Sequence, residues 1–296
     1  MTDSKFQLSC ESTVDLPYDH VTARGISVLF YSYTVDGREY PDDMGRDAHA
    51  LERFYRFIDE GKLPTTSQIN TYTYCEYFRS LLKNGDVLHI AFGSGMTASV
   101  NNALKAAEMM RDEFPERKMI VVDSLCSCVG YGILTEYAAD LRDNGVDICS
   151  VEKWLIANRK HVHHQFFTTD LKLLKRSGRV SGPIAAIATV LGICPLMRLD
   201  NSGHIISYSK VHGKRAALNA TLDAVIDHAQ GGTDYTGRMC VAHSNCFDDA
   251  KRMADMLSEC FTKLKEPVRI LDIGTIIASH CGAGTVAVFF FGDERE

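Results

Sequence analysis

The 296-residue sequence has no apolar run long enough to cross a bilayer, no internal repeat and no low-complexity tract. The first absence excludes a spanning helix, which needs about 20 predominantly apolar residues. The second excludes solenoids and compositionally disordered chains. Residues 1–8 carry Asp3 and Lys5 and no apolar stretch, so neither an export signal nor a membrane anchor is read there. The ten cysteines are therefore expected as free thiols in a reducing compartment, and the protein as cytoplasmic. Excess positive charge is also missing. A net charge of −6 argues against nucleic acid as a general partner, because binding phosphates requires a cationic surface. Two catalytic signatures are lacking as well. A nucleophile elbow needs glycine two residues before and after its serine, and around Ser94 those positions hold Phe92 and Met96. Gly93 and Gly95 have no third glycine to complete a dinucleotide fingerprint.

What is present is an ordinary globular composition, 45% hydrophobic and 24% charged, in a chain long enough to favour two domains. Residues 7–10 and 26–34 read as strands, the second leading into a hairpin turn at Asp36-Gly37. Leu51, Phe54, Tyr55 and Ile58 recur at helical spacing up to Gly61. Residues 86–92 (DVLHIAF) then read as a strand, followed by the Gly93-Ser94-Gly95 loop, a helix over 97–114, a strand over 118–123 and a helix to 141. That alternation predicts a parallel, doubly wound sheet, whose ligands bind beyond the carboxyl ends of its strands. Ser12, Ser94, Gly95 and Ser124 fall at that edge. Past Gly145 the pattern changes to six strand-like pieces and three further helices, read as a sheet covered by helices on one face. The expectation is an α/β chain with a parallel doubly wound domain over residues 1–160 and a second α/β sandwich domain over 161–296.

Five constellations could carry chemistry. Residues 92–99 form a glycine turn whose backbone N–H groups and helix dipole favour an anion, or in which Ser94 or Thr97 caps the helix. The hydroxyls of Thr65, Thr66 and Ser67 can donate to an anion or close a local turn. His280, followed by Cys281-Gly282, can donate to a ligand lying against the backbone, or be an ordinary loop histidine. Cys240, His243 and Cys246 read as a buried strand rather than a four-ligand metal site. His161, His163 and His164 have no cysteine or carboxylate at ligand spacing, so no metal is expected. Finally, the cations from Lys175 to Arg215, Arg179 among them, suit an anionic group or a solvated face.

In order and spacing, residues 11–17 (ESTVDLP), Thr66-Ser67-Gln68, Ser94-Gly95 with Ser99, Val122-Asp123-Ser124, residues 174–180 (LKRSGRV) and residues 280–284 (HCGAG) resemble the DegV family, over residues 8–291. The resemblance implies a two-domain α/β protein with one long-chain fatty acid buried between the domains, and no cofactor or catalytic residues of its own. It implies that Thr66, Ser94 and His280 hold the carboxylate with the Gly95 amide nearby, and that Arg179 stands near the pocket mouth. Ser12, Thr13, Ser124, His212 and Gly282 are implied near the pocket or a partner's face. The partner implied is a fatty acid kinase that phosphorylates the bound carboxylate. His212 stands where relatives often carry an arginine used with the kinase, so a stand-alone lipid sensor or storage protein is the alternative. A transfer enzyme using Ser94 and His280 would need an oriented base, and no carboxylate is assignable to orient it. Residues 183–193 (PIAAIATVLGI) are the expected lining of the acyl channel.

Overall fold

The computed structural model describes residues 6–181 and 192–296. Its strands are β1 (Gln7–Glu11), β2 (Ile26–Leu29), β3 (Ser32–Val35), β4 (Arg38–Pro41), β5 (Thr65–Thr66), β6 (Val87–Ala91), β7 (Met119–Asp123), β8 (Val162–Thr168), β9 (Val180–Ser181), β10 (Ile193–Leu199), β11 (Ile205–His212), β12 (Cys240–Ser244), β13 (Arg269–Asp272) and β14 (Thr285–Phe291). The described helices are α1 (Tyr18–Ala23), α2 (Ala50–Asp59), α3 (Thr71–Leu82), α4 (Ser99–Glu113), α5 (Cys128–Asp143), α6 (Ile148–Asn158), α7 (Lys172–Ser177), α8 (Lys214–His228), α9 (Phe247–Cys260) and α10 (Thr275–Cys281).

Four strands form a parallel sheet in the order β2-β1-β6-β7. A parallel sheet covered on both faces calls for near-continuous apolar strands, and β6 (VLHIA) is buried at every position. The predicted strand over 26–34 is in fact two. After Leu29 the chain leaves the parallel sheet, because the Tyr31 N–H donates to Ser12 Oγ (3.1 Å) and its carbonyl accepts from Asp42 N (2.9 Å). It then re-forms as β3, which pairs with β4 through a turn where Asp36 and Gly37 both have positive φ, as a two-residue hairpin requires. β5 adds to the other edge of β3, with Thr66 opposite Tyr33.

The second sheet is mixed, in the order β13-β12-β14-β8-β10-β11-β9. Its central strands β14 and β8 are antiparallel and buried on both faces, so successive residues serve different layers. Phe167, Val286, Val288 and Phe290 pack with Leu218 and Val225 of α8 and Met253 and Leu257 of α9. Phe166, Ala287 and Phe289 join a larger core that contains Leu8, Phe92 and Tyr131 of the parallel-sheet layer. Two helices cover one face of this sheet, as the sequence suggested, and its other face meets α5 of the parallel-sheet layer. Among the described residues, no helix is long and apolar enough to cross a membrane.

Candidate functional site

A cavity of about 940 Å³, counted out to its mouth, lies where the carboxyl-end loops of the parallel sheet meet that inner face. Phe92 and Met96 line it from the β6–α4 turn, Phe166 and Phe289 from the mixed sheet, and Ile276 and Ile277 from α10. Its walls are largely apolar with a few polar groups at one end, as in a small-molecule pocket. Thr66, Ser177, Arg179 and His280 line both this cavity and a smaller outer hollow of about 450 Å³, so a polar group set among them lies between the apolar space and the surface.

Thr66 Oγ1 and His280 Nε2 are 2.8 Å apart. β5 holds Thr66 against β3, and α10 carries His280 in its last turn. The sequence suggested a loop around His280; the helix there begins with Thr275 Oγ1 donating to Asp42 Oδ1 (2.7 Å) and stops at Gly282, whose φ of 72° suits glycine. Burial pushes the His280 pKa down to about 4, and the neighbouring Arg179 and Arg176 push in the same direction, so the ring is neutral at pH 7. A neutral imidazole paired with a hydroxyl leaves one O–H or N–H free to donate to an anion, whichever tautomer it adopts. Both arginines are exposed; Arg179 Nη1 donates to Ser177 O (2.6 Å) and Arg176 Nη2 to Pro64 O (3.2 Å), which fixes them beside the pair.

Ser94 and Gly95 do not line the cavity. They border a third hollow, of about 600 Å³, that shares Met96, Thr97 and Arg179 with it. Ser94 is exposed, and its N–H donates to Asp123 Oδ1 (3.0 Å), which also accepts from Leu125 N (3.0 Å). One donor of the anion-binding turn is thus taken by a carboxylate of the protein itself. Thr97 Oγ1 accepts from Ser99 N (3.2 Å), a local turn just before the helix, whose N-cap is Ala98 with no side-chain cap. A side chain at Gly95 would collide with the Gly203 carbonyl, so glycine there permits two backbones to meet.

The remaining predicted positions lie elsewhere. Ser12 is buried and holds Tyr31 N, Thr13 is buried, and Ser124 Oγ accepts from Cys126 N (3.1 Å) in a local turn. His212 is exposed at the end of β11. Gly282 terminates α10. Residues 183–191 of the expected acyl channel lie outside the described residues, and Ile193 begins β10. Cys240 is a buried strand residue, as read. Tyr31 was not singled out from the sequence, and Ser127, Cys128 and His164 were not read as pocket residues; they line the cavity from the β2–β3 connection, the start of α5 and β8. Among the described residues, no carboxylate hydrogen-bonds His280, and Ser94 is not its partner.

The family model described as "Uncharacterised protein, DegV family" matches residues 5–293. The chain belongs to the DegV family. A DegV domain-containing protein of Clostridium perfringens is 32% identical over 99% of both chains. A solved DegV family protein of Thermus thermophilus, described as binding fatty acid, superposes with a TM-score of 0.85 at 24% identity, covering 97% of this chain and 99% of that one. DegV of Bacillus subtilis, described as a fatty acid binding protein, gives 0.83 at 22% identity over 97% and 99%. At these identities the two structures establish a shared DegV fold.

Proposed function

We propose that this DegV-family protein binds one long-chain fatty acid between its two sheets, in the cytosol, and holds the carboxylate at Thr66 and His280 for a partner kinase to phosphorylate. The observation that carries this reading is the junction of an apolar cavity of about 940 Å³ with a neutral imidazole–hydroxyl pair flanked by two arginines. Burying a C16 chain at about 0.8 kcal/mol per methylene supplies about 10 kcal/mol of gross driving force, so the tail sets affinity. A carboxylate out of water is costly, and charge-assisted hydrogen bonds at about 1.5–3 kcal/mol each offset that cost. The head group therefore sets register and selects acids over alcohols. The fatty-acid binding described for the Thermus and Bacillus relatives supports the same ligand class. Presentation to a kinase is supported by the outer hollow at Arg176 and Arg179, through which the head group would be reached.

Native mass spectrometry of the protein purified from bacteria, with identification of the released small molecule, tests the ligand. A stoichiometric long-chain acid is expected, weakened or lost in Thr66→Val and His280→Ala. An empty protein, or a bound nucleotide or sugar phosphate, refutes the reading. A stand-alone sensor or store is the second reading, favoured by the exposed His212 where the resemblance implies arginine. Acyl phosphate formed on adding a fatty acid kinase and ATP decides for the carrier, and its absence for the sensor.

A further inference from the structure

On the helix-covered face of the mixed sheet, three groups far apart in the chain converge. His163 points from β8 to that face, opposite Phe290 in register and stacked on its ring at 5.2 Å. His228, the last residue of α8, stacks on His163 at 4.9 Å between centroids. Asp293 follows β14, and its Oδ1 lies 2.9 Å from His163 Nε2 and 3.1 Å from His228 Nδ1. We propose that His163 Nε2, His228 Nδ1 and the Asp293 carboxylate form a binding site for a divalent cation of the zinc class, with water completing the coordination.

The three ligand atoms all lie within 4.8 Å of one another, close enough to turn onto one ion. Two imidazoles and one carboxylate form a donor set suited to zinc, cobalt or nickel and poorly suited to calcium or magnesium. His228 ends a helix of fifteen residues, where the negative end of the dipole favours a cation. Asp293 is exposed and gives the ion an approach from solvent. Two contacts oppose binding. His163 Nε2 donates to the Asp293 carbonyl (3.0 Å) and must pass that proton to Nδ1 before it can coordinate. Arg198 Nη1 stands 3.4 Å from His228 Nε2, which must carry the ring proton once Nδ1 is bound to metal. Arg198 already pairs with Glu296 at 2.8 Å and can turn fully toward it. An occupied site would tie together the start of β8, the end of α8 and the C-terminal segment. It lies across the sheet from the cavity, so it acts on stability and leaves the fatty-acid reading untouched.

The test is titration of chelator-treated protein with Co²⁺, followed by its d–d absorption, and with Zn²⁺ against a chromophoric competitor. The ten free thiols make the cobalt spectrum necessary, because thiolate ligation has its own near-ultraviolet charge-transfer band. One-to-one binding without that band is expected, weakened about tenfold or more in His228→Gln and Asp293→Asn and tightened in Arg198→Met. No saturable binding, a thiolate spectrum, or equal affinity in His228→Gln and Asp293→Asn overturns the proposal.

Discussion

The two faces of the mixed sheet are made from alternate residues of the same strands, yet they are finished differently. Phe167, Val288 and Phe290 pack with side chains of α8 and α9. Phe166, Ala287 and Phe289, one residue away, face the cavity. Both sets are buried, and both would be read as core from the sequence. Burial of a strand therefore says that water is excluded, and not whether protein or a ligand excludes it. In this DegV-family protein the difference lies in what stands opposite. On one face two long amphipathic helices fill the space. On the other, α5 packs directly on β8 and β14, and the cavity opens beside it, where the parallel sheet's loops and the short α10 stand over Phe166 and Phe289.

The largest expected effect tests that difference directly. Phe290→Ala should cost about 3–5 kcal/mol of stability, because it adds a new void to the lost transfer energy. Phe289→Ala enlarges a space that already exists, so the transfer contribution of about 1.5–3 kcal/mol is expected alone. Denaturant unfolding of lipid-free protein measures both. Equal losses would mean that the cavity face is packed as tightly as the helix face.

A smaller effect separates the faces by pH. His163 on the helix face and His280 on the cavity face are both depressed from 6.5 to about 4, chiefly by burial. A depressed histidine binds fewer protons folded than unfolded, so each contributes stability above the unfolded pKa that is lost as pH falls from 6.5 toward 4. A carboxylate bound beside His280 raises that pKa toward its ordinary value and removes its share of the loss. Chemical denaturation across this window should show a shallower fall for lipid-loaded protein than for empty protein, while His163 titrates alike in both. Identical slopes would separate the ligand's carboxylate from His280.

Much of the fold was legible in the sequence, for identifiable reasons. β6, β7 and β14 announce themselves as largely apolar runs bounded by turns, and α8 and α9 by helical period and length. The α10 helix was hidden because its seven residues are too few to show a helical period, and because its start depends on Asp42, more than two hundred residues earlier. Thr66 and His280 were legible as candidates from their residue types and the family resemblance. Their pairing was not, since it rests on β3 holding a two-residue strand in place. Likewise, His163 lacked a carboxylate at any short spacing, and the fold supplies Asp293 from 130 residues away.

The glycine turn is where residue type and geometry part most clearly, and it carries the smallest predicted effect. Strand, Gly-Ser-Gly and helix spell an anion site, but the Ser94 N–H is already satisfied by Asp123, and the Ser94 side chain is exposed in a separate hollow. If the fatty acid's carboxylate sits at Thr66 and His280, Ser94→Ala removes at most a solvent-exposed contact, and the loss in affinity should stay under about 1 kcal/mol. His280→Ala removes a half-buried donor and should cost about 1.5–3 kcal/mol. Isothermal titration of delipidated protein with one fatty acid compares them. Equal losses would put the carboxylate nearer the turn, with Arg179, which borders both hollows, as the side chain it must pass.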